Sequence, residues 1–325
     1  MSTTVQRDFD VVTFGEIMAM FVAEESGPLA RVDHFVRRLA GAEFNVAVGL
    51  RRLGHSVGFV TRLGTDPFGE FALQQLEANG IDVGEVDLHA IEPTGFQLKS
   101  RPGEDEDPLV VYFRSHSAAR TLAPTAATAA YVRRAGHVHL TGIPLALGAG
   151  PRGLAAQAVD VARETGATVS FDPNLRPSLW ADSDDIVRTI NEIAVQADWV
   201  LPGMSEGRIL TGETTPAGIA RWYLDRGVAV VAVKAGSRGA ELFAADGTHA
   251  SCPPFAVSVV DTVGAGDGFS AGLLSAALDG LPIADWVHRA GAVGALATTS
   301  RGDQEGLPDR AGLATFLEAH APTSV

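Results

Sequence analysis

Short apolar runs alternate with stretches of helical periodicity along most of the chain. Asp10 to Phe14 carries Val11, Val12 and Phe14 and ends at Gly15, which predicts a first buried strand. From Ala42 to Leu53 apolar residues recur at helical spacing, with Gly54 as the stop. Val57 to Arg62 reads as a strand, and Asp66-Pro67 opens a helix that Gly80 closes. Thr94–Arg101 and Leu109–Arg114 alternate polar and apolar residues on either side of the acidic turn Gly103–Pro108, which predicts an exposed hairpin outside the core. After Arg120 the strands His137–Thr141, Thr168–Asp172, Trp199–Leu201 and Val228–Lys234 alternate with helical patterns. A second hairpin, Ala240–Ala244 with Thr248–Pro253, and three helices, Ala265–Leu278, Ile283–Thr299 and Asp309–His320, complete the chain. Such alternation predicts an α/β fold with a mostly parallel sheet covered by helices on both faces, the early hairpin forming a small accessory sheet. With no internal repeat and no long linker, residues 1–325 are expected to form one domain.

Charge narrows the partners. The chain carries 25 basic and 39 acidic residues, a net charge of −14, so its field repels polyanions and excludes a general nucleic-acid or membrane-surface partner. A single cysteine, Cys252, forms no internal bridge and no Cys-rich metal site, which fits a reducing cytoplasm. Met1 to Asp8 is polar, and no apolar run approaches the ~20 residues of a membrane span. The 36 glycines are spread through the chain, as expected for many tight strand–helix turns.

The strongest chemical signal is Asp261-Thr-Val-Gly-Ala-Gly-Asp-Gly-Phe-Ser-Ala-Gly272. Gly264, Ala265 and Gly266 make a turn almost free of side chains at a helix start, where backbone N–H groups and the helix dipole form an anion hole. Asp267, in the first turn, can accept a proton beside the bound anion. The plainer reading is a tight turn followed by a helix-starting carboxylate. Tyr112 and Arg114 are two apart on a strand and face one side. Arg114 and Arg176 can present forked donors to a carboxylate or phosphate, or can be ordinary solvated charges. His137 and His139 share a strand face, but with no third ligand near in sequence they read as structural. Gly148-Ala-Gly-Pro-Arg-Gly153 has the spacing of a dinucleotide fingerprint, as in an NAD-dependent oxidoreductase. Ile143–Leu147 separates it from its strand, which argues against that reading. The only lysines, Lys99 and Lys234, stand in no Walker A pattern.

The glycine-turn segment resembles the C-terminal motif of the PfkB, or ribokinase-like, carbohydrate kinases, and Ala40–Gly54 resembles their N-terminal motif. The resemblance spans residues 10 to 317. It implies a Rossmann-type core with a small β-sheet lid, here drawn from about residues 17–40 and 93–120, and ATP- and Mg²⁺-dependent phosphorylation of a sugar hydroxyl. It makes Asp267 the catalytic base, with Gly264, Ala265 and Gly266 holding the transferring phosphoryl. Lys234, Gly236, Ser237 and Gly239 resemble the nucleotide segment, and Glu206 the acid that organises Mg²⁺ through water. Four segments resemble the members acting on 2-dehydro-3-deoxygluconate: Gly41-Ala-Glu-Phe-Asn45, Tyr112-Phe-Arg114, Asp172-Pro-Asn-Leu-Arg176 with Leu179-Trp180, and Ser300–Gly306. Carried over, Gly41, Ala42, Glu43, Phe44, Asn45, Gln97, Tyr112, Phe113, Arg114, Arg176 and Asp303 would contact a sugar acid. Asp303 would accept bonds from its hydroxyls. Asp261 and the backbone of Ala297–Gly302 fall where some relatives bind a monovalent cation such as K⁺. The chain departs from the pattern at Gly203, where the family has Asn, at Gln97, where a lid Tyr is expected, and at Gly291, an adenine-side Asn in some relatives. Gln97 keeps fructose, or another sugar or keto acid, open as the substrate. A non-catalytic sugar binder on this fold would have no need of Asp267. The exposed lid edge is expected to pair with a second subunit in a homo-oligomer.

Overall fold

The computed structural model describes residues 7–101, 108–180 and 182–320, so Met1–Gln6 and the acidic turn Gly103–Asp107 lie outside the described residues. In chain order the strands are β1 (Phe9–Phe14), β2 (Met18–Ser26), β3 (Phe35–Ala40), β4 (Val57–Gly64), β5 (Asp82–His89), β6 (Phe96–Arg101), β7 (Val110–Phe113), β8 (Ala135–Thr141), β9 (Thr168–Asp172), β10 (Trp199–Val200), β11 (Val230–Lys234), β12 (Ala240–Ala244) and β13 (His249–Cys252). Nine of them form one sheet in the order β13-β12-β11-β10-β9-β8-β1-β4-β5. From β11 to β5 every pair is parallel, and only the β11-β12-β13 edge is antiparallel.

Both faces of this sheet are buried because its central strands are apolar on both faces. Val11 packs with Val46, Leu50, Leu274 and Val293 beneath the helices Ala42–Arg52, Ala265–Leu278 and Ile283–Ala297. Its neighbour Val12 points the other way, among Val138, Leu154, Ala158 and Ile190 under the helices Ala149–Thr165 and Ser183–Ala194. The expected α/β architecture is therefore present, with a parallel sheet between helical layers.

A second, four-stranded sheet in the order β3-β2-β6-β7 stands apart from it. Three strands escape the hydrophobic pattern. β5 is a polar edge, with Asp82, Asp87 and Leu88 exposed, and β2 and β3 join β6 and β7 as the rest of the small sheet. The expectation of an exposed hairpin is corrected here. Gln97 and Lys99 are 4% and 1% exposed, so the polar face of β6 is its inner face. The other face carries an aromatic cluster in which Phe96 stacks on Phe113 at 4.5 Å and meets Phe21 and Phe68. The fingerprint-like Gly148 turn does not follow a strand either, because the helix Gly142–Leu147 lies between β8 and it. His137 and His139 are buried and share the Ser170 hydroxyl. Burial pushes His137 down to about 3 and His139 to about 4, so both are neutral core residues near pH 7.

Asp66 ties the two sheets together. One carboxylate oxygen accepts the N–H groups of Phe68 and Gly69, each at 2.9 Å, and caps the helix Pro67–Ala78. The other accepts Thr94 N–H at 2.7 Å, where the chain enters β6. Asp66→Ala removes a cap and strands a backbone donor, so it should cost about 2 kcal/mol in urea unfolding. A loss no larger than that of an ordinary surface substitution would show that the cap and tie are not needed.

Candidate active site

The carboxyl ends of the parallel strands converge on one place, as in other open α/β sheets. Gly15 follows β1, Thr141 ends β8, Asp172 ends β9 and Lys234 ends β11. Two cavities of about 460 Å³ each open there. One is polar and roofed by the small sheet, with Gln97, Tyr112 and Arg114 above, Asn45, Asn174 and Asp267 below, and Arg176 and Asp303 at its sides. The other is largely apolar, with Gly236, Ser237 and Gly239 along one wall and Val257, Phe269 and Gly291 among the rest. They share Lys234, Thr262 and Gly266.

The shared boundary is the glycine turn. Gly264 caps the helix Ala265–Leu278 with φ +86°, in the left-handed region that glycine adopts without strain. A Cβ there would come within 2.7 Å of the Asp303 carbonyl oxygen, so even alanine would displace backbone. Ala265 N–H donates to the Thr262 carbonyl at 3.4 Å, and the Gly266 and Asp267 N–H groups, in the first turn, have no intrahelical acceptor; Gly266 lines both cavities. Gly41, the cap of the helix Ala42–Arg52, is equally constrained: φ is +153° and a Cβ would sit 2.5 Å from the Glu16 carbonyl oxygen.

Asp267 is buried at the third position of its helix. Its Oδ2 accepts Asn45 Nδ2 at 2.7 Å and its Oδ1 accepts Asn174 Nδ2 at 3.1 Å. Asn45 is itself aimed by Gln304, which donates to its Oδ1 at 2.9 Å. Asn174 adopts φ +40°, a conformation asparagine tolerates better than most residues. Burial is the main force on the Asp267 carboxyl and pushes it up to about 7; Asn45 offsets part of that, and the Asp172 and Asp303 carboxylates add to it. A carboxylate so held ionises near neutrality and is basic enough to take a proton from an alcohol in a transition state.

The neighbouring acid Asp172 is handled differently. Lys234 Nζ donates to its Oδ2 at 2.6 Å, Ser270 donates to the same oxygen at 3.1 Å, and Asn174 N–H binds its Oδ1 at 3.2 Å. Burial works against the Lys234 ammonium, but Asp172, Glu206 and Asp267 together hold it above the usual lysine range. Glu206 accepts Gly203 N–H at 2.6 Å and Leu175 N–H at 2.8 Å, one on each oxygen. With about four lone-pair sites on a carboxylate, it keeps capacity for water beside the shared boundary. Gly291 leaves its space to Cys252, whose sulfur would lie 2.7 Å from any Cβ added there.

Several residues expected at the polar cavity lie elsewhere. Phe44 is fully buried against Phe59, and Phe113 belongs to the outer aromatic cluster; neither lines the cavity. Ala265 lines the apolar cavity, not the polar one. Glu43 lines the polar cavity but is buried, accepts the Thr141 hydroxyl, and is pushed by burial up to about 7. Arg114 is no free cation, because Glu16, equally buried, forms an ion pair with it. Arg176 is exposed at the rim, and its Nη1 donates only to the neighbouring Leu175 carbonyl. Asp303 and Asp261 both meet Lys99 Nζ, at 3.2 and 2.5 Å. Glu16, Lys99, Asn174 and Gln304 are the site residues that motif reasoning missed.

A family profile described as pfkB family carbohydrate kinase matches residues 8–310. The chain is 49% identical over 313 residues to the 2-dehydro-3-deoxygluconokinase of Bacillus subtilis (strain 168), covering 95% of this chain and 96% of that one. A PfkB protein from Polaromonas sp. JS666 superposes with a TM-score of 0.84 at 44% identity, covering 94% of this chain and 99% of the other. A double-mutant fructokinase of Vibrio cholerae O395, solved with fructose, ADP and potassium ion, superposes with a TM-score of 0.81 at 27% identity, covering 98% and 100%.

If Asp267 is a base, kcat/KM should fall about tenfold per unit as pH drops below the value of about 7 at which its carboxyl protonates. Asp267→Asn should lose several orders of magnitude in kcat and, with them, this acidic limb. Glu43 carries a stability signature of its own. A raised acid is best tolerated protonated, so its favourable contribution is lost as pH rises from the ordinary range through about 7. Glu43→Gln should therefore melt higher than the parent protein at pH 8 and similarly at pH 5. A lower melting temperature at pH 8 would contradict that assignment.

Proposed function

The chain belongs to the PfkB family of carbohydrate kinases, and on that premise we propose that it transfers the γ-phosphoryl of ATP to the terminal hydroxyl of 2-dehydro-3-deoxygluconate, giving the 6-phosphate. The observation that carries this reading is the position of Asp267, beside the N–H groups of the glycine turn at the one boundary shared by the polar and apolar cavities. The apolar cavity takes the nucleotide, with Gly236, Ser237 and Gly239 against it and its polyphosphate directed at Lys234 and Gly266. The polar cavity takes the sugar acid.

In the reaction the sugar hydroxyl gives its proton to Asp267 as its oxygen bonds to phosphorus, and the bond from phosphorus to the bridging oxygen breaks to release ADP. The two amide N–H donors keep the Asp267 carboxylate oriented toward the hydroxyl. The N–H groups of Gly264 to Gly266 meet the equatorial oxygens, where charge accumulates, and need no reorganisation. Lys234, fixed by Asp172, adds a positive charge next to Gly266. Glu206, which keeps lone-pair capacity for water, would hold Mg²⁺ through water, and the ion would supply charge neutralisation on the phosphates. The small sheet covers the sugar and keeps water from the phosphoryl group.

Charge supports a sugar acid over a neutral sugar. Arg176 lines the cavity with no carboxylate bonded to its guanidinium, so it has an anion to receive. Arg114 is already neutralised by Glu16, and its buried Nε has no partner, which suits a sugar hydroxyl or carbonyl oxygen instead. The 49% identity to a 2-dehydro-3-deoxygluconokinase points to the same substrate. The outer lid face, with Leu109 and Phe113 about half exposed, would join two copies of the chain. No helix among the described residues is long and apolar enough to cross a membrane, and a buried free cysteine suits the cytoplasm.

Across 2-dehydro-3-deoxygluconate, 2-dehydro-3-deoxygalactonate, fructose and ribose, kcat/KM with ATP should be highest for the first. Fructose or ribose ahead by about tenfold or more would overturn the sugar-acid assignment and leave the kinase reading in place. Arg176→Ala should cut kcat/KM for the sugar acid by about 10- to 200-fold, the worth of a charged hydrogen bond, and change fructose little. Equal losses on both would remove the carboxylate role from Arg176.

A further inference from the structure

Asp261 begins the segment that leads into the Gly264 turn, and in the Vibrio relative a potassium ion accompanies the ligands. The residues here do not fit a free cation at Asp261. Its Oδ1 accepts Val263 N–H at 3.0 Å and its Oδ2 lies 2.5 Å from Lys99 Nζ. The Thr298 carbonyl is taken by the N–H groups of Val260 and Asp261, at 2.8 and 3.2 Å. Lys99 Nζ also reaches Asp303 Oδ1 at 3.2 Å, and this side chain is 2% exposed. The ammonium is thus enclosed between two carboxylates, one before the glycine turn and one whose backbone presses against Gly264.

We infer that Lys99 is a positioning residue, a cation tethered to β6 that replaces a free alkali-metal ion and locks the lid sheet to the phosphoryl-binding turn. Three observations support it. The chain has only two lysines, every other basic side chain being arginine, and each is paired with buried carboxylates at this site. A compact ammonium with three donors can bridge two carboxylates in a space that a planar guanidinium fits poorly. Lys99 and Gln97 share one face of β6, so the strand that roofs the sugar cavity also delivers the charge. Removing the ammonium leaves two buried carboxylates facing a vacated, cation-sized space. The inference rests on the kinase reading only for its rate measurements.

The test compares K⁺, NH₄⁺ and tetramethylammonium chlorides at equal ionic strength, the last being too large to enter. The parent protein should show less than about a twofold difference in kcat and no shift in melting temperature among the three salts. Lys99→Ala should lose about 100-fold in kcat in tetramethylammonium and regain about tenfold in NH₄⁺ or K⁺. Its melting temperature should rise with NH₄⁺ or K⁺ and not with tetramethylammonium. Cation stimulation of the parent, full activity of Lys99→Ala in tetramethylammonium, or loss with no cation rescue of either property would each overturn the inference. If Lys99→Ala does not fold, Lys99→Met and the parent's indifference to K⁺ decide the matter. If no sugar is phosphorylated, the melting measurements decide it without reference to activity.

Discussion

A site that must accept a polyphosphate is lined with buried carboxylates, and the placement of the groups around it follows from that electrostatic conflict. Glu43, Asp172, Asp267 and Asp303 are all buried, and Asp261 nearly so. In a low-dielectric interior unpaired charges of one sign repel strongly and resist ionisation. The fold resolves the conflict unevenly. Lys234 neutralises Asp172, while Lys99 shares one positive charge between Asp261 and Asp303, and burial still pushes the Asp303 carboxyl up. Asp267 receives only two neutral amides, and burial leaves its carboxyl near neutrality. One residue type is thus held as a counter-ion where an ammonium meets it, and where only amides do it is left in the protonation range the proposed base requires.

The scaffold makes this division possible. Parallel strands deliver Asp172 and Lys234 to one end of the sheet, 2.6 Å apart, although 62 residues separate them in sequence. Two glycine-capped helices, starting at Ala42 and Ala265, bring Asn45 and Asp267 into contact. Arg52 then holds the loop that carries Gln304, through the carbonyls of Gln304 and Leu307, and Gln304 orients Asn45. The Asp267 carboxylate is therefore held by two amides, one of them aimed in turn by Gln304, before any ligand enters, as a preorganised site requires.

Much of this is written in local pattern. The helix Ala265–Leu278 and the strand Thr168–Asp172 have the bounds that periodicity gives them, because apolar spacing and flanking turn residues agree there. The glycine turn and Asp267 are legible because a side-chain-free helix start has few other uses. The lid was harder. The polar residues of β6 suggested solvent, but its polar face looks into a polar cavity, so alternation gave the right period and the wrong side. The scarcity of lysine, with one of only two standing on this strand, is the sequence signal that corrects this. Arg114 looked like an anion receptor because its partner, Glu16, lies 98 residues earlier; a lone acid in the apolar run after Gly15 was the available hint. Phe44 and Phe113 entered the expected site as members of motifs, and packing assigns them to clusters that support it.

The central claim is that burial, against neutral hydrogen-bond donors and the weaker pull of Arg176, raises the Asp267 carboxyl to the range a base needs at neutral pH. Carbon-13 NMR of the side-chain carboxyls, with the Asp267 resonance assigned by its absence in Asp267→Asn, measures this without substrate or turnover. The account predicts a carboxyl that titrates near the value of about 7 set by its burial. Titration of that resonance in the ordinary aspartate range, near about 4, would contradict it.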